Sequence, residues 1–420
     1  MNDTQTSTDK RYYNYFQRAN FRLASNKCDE AIEDYNEAIN LNPTYAKSYK
    51  NRGLAYFTKG EVDRAIKDYN RAIELDPDNA HAYNNRGTAY SIKGEFHLAI
   101  KDFNKAIQLK PDLAEAYNGR GLTHQNKGEI DRAIEDYNKA IELRYDYAKA
   151  YNNRGIAYSH KRNAEQAIED ISKAIEFQPN LAGAYCNRGN AYVRKGLINL
   201  ALKDYNEAIR LNPELAEAYC NRGVAYENKG ELELAIEDYT KAIELQPDYA
   251  EAYNNRGVVY NKKDEVDLAI KNFSKAIELK SELANAYCSR GYAFWVKGKL
   301  ELAIADYNMA IKLKPDFAEA YNNRGVTYFA KGEPKHAIED LNKAIELQPD
   351  YAGAYNNRGV VWSGLQQWEK ARLDLTVAKI IKKDSIVSFQ PINKSVVDFE
   401  QIPGVKLPDD IAAMLTPPQT

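Results

Sequence analysis

Residues 216–249 read AEAYCNRGVAYENKGELELAIEDYTKAIELQPDY, and this stretch decides the fold. Two segments rich in helix-forming residues flank Lys229, Gly230 and Glu231. Lys suits the last turn of a helix, where unpaired carbonyl oxygens carry negative charge. Gly reaches the left-handed conformation that ends a helix, and Glu suits the positive start of the next one. Pro247 then stops the second segment, because its ring cannot continue the helical hydrogen bonds. The stretch predicts a helical hairpin.

Working outward, the same columns return every 34 residues. Arg stands at 18, 52, 86, 120, 154, 188, 222, 256, 290, 324 and 358 without exception. Alanines from Ala31 to Ala371 and from Ala38 to Ala378, and tyrosines from Tyr15 to Tyr355, keep the same interval. Counted from Tyr12, eleven 34-residue units fill residues 12–385. Positions within a repeat are numbered from that Tyr. Self-similarity at such a period marks an array of stacked units rather than a set of globular domains.

On a helical wheel, positions 4, 8 and 11 of the first helix form one stripe, as Tyr83, Gly87 and Tyr90 do in the third repeat. Positions 20, 24 and 27 form the matching stripe of the second helix: Ala99, Phe103 and Ala106. The small residues let the two backbones approach, and the rings fill the remaining space. One hairpin cannot bury all its apolar faces, so each unit needs neighbours.

These columns resemble the tetratricopeptide-repeat family. The second repeat shows the motif at Tyr49, Gly53, Tyr56, Ala65, Tyr69, Ala72 and Pro77. The family often has Trp and Leu where this chain has Tyr49 and Arg52. The resemblance implies an all-α, right-handed superhelical solenoid of stacked helix-turn-helix repeats. Its first helices would line a concave groove and its second helices the outside.

The array drifts in places. Arg162, Asp264 and Gln366 replace the turn Gly, and Tyr145, Ser281 and Lys383 replace the Pro. The eighth repeat loses both and has Asn272 in an Asp column, so a softer joint is expected near residues 264–283, with inconsequential drift as the alternative. In the eleventh repeat, Arg372 and Lys379 take positions 21 and 28, which are Ile or Leu in the other ten. The face that elsewhere packs on a following repeat becomes polar there. Residues 1–11 are expected to be disordered. Residues 386–420 form a tail in which LPDDIAAML (407–415) reads as a short amphipathic helix, expected to cap the array.

Lys and Arg number 58 against 60 Asp and Glu, a net charge of −2 that argues against a dedicated nucleic-acid surface. No run approaches the 18 or so apolar residues of a membrane span, and the polar start lacks a signal-peptide core, so a cytoplasmic location is expected. The four cysteines form no C-x-x-C pair. Cys186, Cys220 and Cys288 share position 5, about one helix layer (~9–10 Å) apart in a stack, beyond the ~7 Å reach of a disulfide. They are expected to be small, semi-buried residues standing in for Asn. Phosphate loops, H-E-x-x-H and G-x-S-x-G are missing, and His81, His97, His124, His160 and His336 share no position. Neither an enzyme nor a metal or cofactor site is expected.

Candidate binding residues lie opposite the packing stripe, at positions 2, 6, 9 and 13 of the first helix. Position 6 is Asn in eight repeats: Asn51, Asn85, Asn153, Asn187, Asn221, Asn255, Asn323 and Asn357. Asn is a mediocre helix former, and its amide matches a peptide backbone in both donor and acceptor. The column is similar to the asparagine ladder in the repeat arm of the enzyme that attaches N-acetylglucosamine to nuclear and cytoplasmic proteins, which implies extended peptides held along the groove. The alternative is that the amides bond neighbouring helices. Position 9 is apolar in later repeats, at Val224, Val258, Tyr292, Val326 and Val360, and Trp295 and Phe329 lie nearby as candidate anchors. Arg at position 7 and Asp at position 23 both flank the packing stripe, predicting ion pairs within or between repeats such as Arg222 with Asp238 or Asp204. A row of anion sites is the rival.

Together these features point to a scaffold or adaptor that binds other proteins or peptides. The alternatives are a nucleic-acid-binding helical repeat, disfavoured by Glu115, Glu217, Glu251 and Glu319 beside Lys47, Lys149 and Arg194, or an assembly-forming structural protein.

Overall fold

The computed structural model describes the backbone of residues 2–384 and the side chains of residues 11–381. The described residues are all helical, with no strand, and divide after Pro213 into two units. The first unit holds α1 (Asn2–Ala24), α2 (Cys28–Leu41), α3 (Ala46–Thr58), α4 (Val62–Leu75), α5 (Ala80–Ile92), α6 (Phe96–Leu109), α7 (Ala114–Asn126), α8 (Ile130–Leu143), α9 (Ala148–His160), α10 (Ala164–Phe177), α11 (Ala182–Arg194) and α12 (Ile198–Leu211). The second holds α13 (Ala216–Lys229), α14 (Leu232–Leu245), α15 (Ala250–Lys262), α16 (Val266–Leu279), α17 (Ala284–Val296), α18 (Leu300–Leu313), α19 (Ala318–Ala330), α20 (Pro334–Leu347), α21 (Ala352–Gly364) and α22 (Trp368–Asp384).

The turn inside each hairpin follows from one left-handed residue. Gly60, Gly94, Gly128, Gly196, Gly230, Gly298 and Gly332 have φ between 71° and 84°. Arg162, Asp264 and Gln366, which replace the Gly, adopt the same region at φ 58–60°, and so does Asn26. The turn is therefore imposed by the packed helices on either side, even where a side chain makes it cost roughly 1–2 kcal/mol more. Asp264 keeps the turn of its neighbours, so the eighth hairpin is not interrupted there.

Within each unit, every even-numbered helix packs on the odd-numbered helices before and after it. Successive odd-numbered helices also touch each other, and no comparable contact joins successive even-numbered ones. The odd-numbered row is thus the tighter, inner row. The alanines at positions 3, 10, 20 and 27 are mostly fully buried, as are Tyr35, Tyr69, Tyr137, Tyr205, Tyr239 and Tyr307 at position 24. The fit is close: a Cβ on Gly223 would sit 2.8 Å from Cε1 of Tyr239. At Gly223 a side chain would therefore have to displace the ring, whereas in the first repeat Ala19 holds the same position above Tyr35.

Arg and Asp meet within a repeat. Arg120 donates from Nε to Asp136 Oδ2 at 2.9 Å and from Nη2 to Oδ1 at 2.6 Å, and Arg222 binds Asp238 in the same two-pronged way at 2.8 and 2.7 Å. The third prong crosses to the preceding repeat: Arg120 Nη1 donates to Asn104 Oδ1, Arg154 Nη1 to Asn138 Oδ1, and Arg290 Nη1 to Ser274 Oγ. The guanidinium also lies against the position-4 ring, 5.5 Å from the centroid of Tyr117 for Arg120. The carboxylates are buried and their capacity is filled, so a row of anion sites is excluded.

Two expectations meet the edges of the fold. α1 begins at Asn2 and so runs through residues 2–11 of the segment expected to be disordered. That segment contains neither Pro nor Gly, and extending a helix already nucleated by packing adds a hydrogen bond for each residue fixed. The tail helix expected at 407–415 lies outside the described residues.

Replacing Arg290 by Ala leaves the buried Asp306 carboxylate unpaired and should cost about 3 kcal/mol. Arg256→Ala should cost only about 1 kcal/mol, because its partner Asn272 is neutral. Urea unfolding of both variants checks the contrast; equal losses would show that the carboxylate charge is not what matters.

Candidate peptide-binding face

The odd-numbered helices carry the position-6 asparagines, and all are at least half-buried, Asn323 fully so. Several of their amide N–H groups point across the seam to position 5 of the preceding repeat. In the first unit, Asn153 Nδ2 donates to Asn118 Oδ1 and Asn187 Nδ2 to Asn152 Oδ1, both at 3.1 Å. Asn51 Nδ2 donates to Asn20 Oδ1 at 2.8 Å, where the Tyr35 hydroxyl also donates. Asn85 instead accepts from its neighbour Asn84.

In the second unit, Asn357 Nδ2 donates to Asn322 Oδ1 at 2.9 Å, Asn322 Nδ2 to Asn323 Oδ1 at 3.1 Å, and Asn323 Nδ2 to Cys288 Sγ at 3.9 Å. Asn255 Nδ2 likewise reaches Cys220 Sγ at 3.9 Å, and Asn221 lies half-buried on α13. The column is therefore first of all a ladder between neighbouring helices, and most of its donors are spent inside the protein. The Oδ1 atoms of Asn153, Asn187 and Asn357 accept no hydrogen bond among the described residues.

This ladder also explains the cysteines. Cys186, Cys220 and Cys288 are fully buried rather than semi-buried, and none is in a disulfide. At position 5 a thiol takes the place of an Asn oxygen as weak acceptor. Burial pushes the Cys220 thiol up to about 11, and Cys288 is raised further by burial, with Glu319 adding to it.

The expected apolar anchors fall together in the second unit. Tyr292 and Trp295 on α17 stack with ring centroids 5.9 Å apart and planes at 26°. Trp295 packs one side on the α18 core around Ala303 and Tyr307, and Phe329 on α19 packs on that around Ala337 and Leu341. Both remain half-buried, whereas Val326 and Val360 are buried and serve packing.

Sequence reading missed several features of the inner row. A shallow cavity of about 390 Å³ opens between α1 and α3, lined by Asn20, Leu23, Ala24, Asn51, Leu54 and Thr58. A second, of about 550 Å³, lies at the α8–α9 junction among Glu115, Arg144, Tyr147, Lys149 and Phe177. The signal for it was Tyr145 in the Pro column, since Tyr145 and Phe177 meet edge to face at 6.1 Å.

Charge on the row is mixed and partly paired: Arg144 bonds Glu115 at 2.9 Å and Lys280 bonds Glu251 at 2.7 Å. Crowding shows in ionisation. Burial pushes Lys50 down, with Lys47 adding to it, and desolvation pushes Glu319 up although it still reaches solvent. No group of His, Cys, Asp and Glu among the described residues could hold a metal ion, and no helix among them is long and apolar enough to cross a membrane.

The tetratricopeptide-repeat pattern matches residues 80–113, 114–144, 148–181, 216–249, 250–283 and 318–351, and a second TPR-repeat pattern matches 20–60, 55–94, 189–230 and 296–332. The chain belongs to the tetratricopeptide-repeat family. TPR proteins are generally scaffolds for protein interaction, and the repeats support that general role for this chain. Among solved structures it is similar to YrrB, described as a TPR protein with an unusual peptide-binding site (29% identity over 44% of this chain and 96% of that one, TM-score 0.37). It is also similar to MamA (31% identity, 39% and 96%, TM-score 0.35) and to yeast Tom70 (18%, 90% and 93%, TM-score 0.44). No curated protein matches the sequence.

The buried thiol gives a pH test. Above about pH 8.5 an unfolded Cys ionises while Cys220 stays protonated in the fold, so the folded state binds more protons and stability falls as pH rises toward 11. Cys220→Ser should flatten that decline in chemical unfolding measured from pH 8 to 10.5. In the native protein at pH 8, Cys186, Cys220 and Cys288 should resist maleimide; rapid labelling of all three would contradict their burial.

Proposed function

We propose that the inner row of the second unit holds extended polypeptide segments by their apolar side chains, with the first unit's inner row as a further contact surface. The observation that supports this most directly is the set of half-buried aromatic rings Tyr292, Trp295 and Phe329 on two successive odd-numbered helices. Rings fixed on one side by the core and open on the other present apolar area without the entropic cost of ordering a mobile side chain, which is the character of an interface hot spot.

The asparagine column enters in a narrower role than a full peptide clamp. Its N–H groups are engaged, so the open Oδ1 atoms of Asn153, Asn187 and Asn357 would accept from peptide N–H groups, giving a hold that is independent of sequence. Specificity would come from the aromatic group. The reading is that of a peptide-binding scaffold or adaptor. The mixed charge of the row speaks against nucleic acid.

A peptide selected from a random library against the full chain should quench or shift Trp295 fluorescence on binding. The Trp295→Ala and Phe329→Ala variants should each weaken it by about tenfold or more, about 1.4 kcal/mol. Asn187→Ala should instead lower stability by about 1 kcal/mol, with binding at the aromatic group kept. Undiminished binding by the Trp295→Ala, Phe329→Ala double variant would overturn the assignment.

A further inference from the structure

In the second helix of the first ten repeats, positions 22 and 26 are charged in nine, with Ala305 and Met309 as the exceptions, and position 29 is polar in all ten. The eleventh repeat reverses this. On α22 these positions are Leu373, Val377 and Ile380, spaced i, i+4, i+7 on one face of the helix. Leu373 is 65% exposed and Ile380 57%. At the same time positions 21 and 28, the normal seat for a following repeat, are Arg372 and Lys379. The apolar stripe has moved by one residue, about 100° around the helix.

α22 thus cannot receive another repeat in the usual register, yet it presents aliphatic side chains where its counterparts present charge. Drift alone would substitute one such position, not three on one face. A stripe of this kind calls for a covering surface.

We propose that residues 407–415 of this chain cover the Leu373–Val377–Ile380 stripe of α22, packing on its outward face rather than continuing the stack. Three features favour this occupant over a second copy. The segment follows α22 in the same chain, and residues 385–406 can span up to about 70 Å, far more than the return to Ile380 requires. Its sequence LPDDIAAML places Ile411, Met414 and Leu415 at i, i+3, i+4, a stripe of matching width. Asp409 and Asp410 open the segment, and the exposed Lys379 borders the stripe on α22, while Arg372 on the same border pairs with Glu369. A covering segment in the same chain also acts at high effective concentration, which favours it over an intermolecular partner.

The full-length chain with Ile380→p-benzoylphenylalanine tests this by photo-crosslinking. The expected product is an intramolecular link to residues 407–415, with a yield that does not depend on protein concentration. A link to a second copy, a link elsewhere in the chain, or no link at all would overturn the proposal. As an independent measurement, Met414→Asp with Leu415→Asp, outside the repeats, should speed amide exchange across residues 372–381 by about tenfold while leaving α20 unchanged. Unaltered exchange at 372–381 would overturn it as well, and faster exchange in α20 too would mean that the variant disturbs the repeats themselves, which would equally count against a local covering role.

Discussion

The three-pronged arginine at position 7 is the constraint on which the rest of the structure depends. Two prongs close the hairpin onto the Asp of the second helix, and the third reaches an Asn, Ser or Thr of the repeat before. One side chain therefore fixes both the closure within a repeat and the spacing between repeats. Only a planar guanidinium can satisfy three acceptors in this arrangement while lying against an aromatic ring, and Lys could not replace it. This gives the unbroken Arg column a physical reason. Where the Asp is missing, at Asn272, Arg256 keeps one bond inside its own hairpin, from Nε at 2.9 Å, and its cross-repeat bond to Thr240 Oγ1, while the Asn amide turns to the carbonyl of Leu268.

Much of this was legible in the sequence because a repeat reports each structural demand eleven times. The helical hairpins, the small-residue approach at position 8, the left-handed turn and the Arg–Asp pairing all appear as columns, and columns average out local drift. The turn shows the limit of reading residue types alone. Arg162 and Gln366 have no preference for positive φ, yet they adopt it, since packing on both sides leaves no other path for the chain.

The candidate site was less legible, and the asparagine column shows why. A helical wheel assigns a residue to a face but not to a partner. Positions 5 and 6 straddle the seam between neighbouring odd-numbered helices, and only the stacking brings Asn187 Nδ2 within 3.1 Å of Asn152 Oδ1. A residue that looks like an offered amide is then found with its donor half used. The cysteines follow the same logic: nothing in a lone Cys says that it replaces an acceptor, but Cys220 and Cys288 stand where other repeats place Asn118 or Asn152. The cavity beside Tyr145 had a visible sign, the lost Pro, whose meaning depended on Phe177 lying across the junction.

A scaffold built in this way separates the work of standing from the work of binding. The Arg, Asp and small-residue columns are almost invariant and spend their chemistry inside the protein, so they cannot distinguish partners. The positions that do vary from repeat to repeat include 2, 9 and 12 on the inner row. These run from Lys47 to Glu319 in charge and from Ser91 to Trp295 in bulk. Because each repeat contacts only its neighbours, a change at such a position is felt by the adjoining repeats rather than along the whole stack, even where, as at Val326 and Val360, the side chain is buried. The aromatic group at Tyr292, Trp295 and Phe329 is the largest departure of this kind, and it sits on a framework whose own hydrogen bonds are already satisfied. On the proposed reading, the part of that surface which the core does not cover is what an incoming side chain would meet.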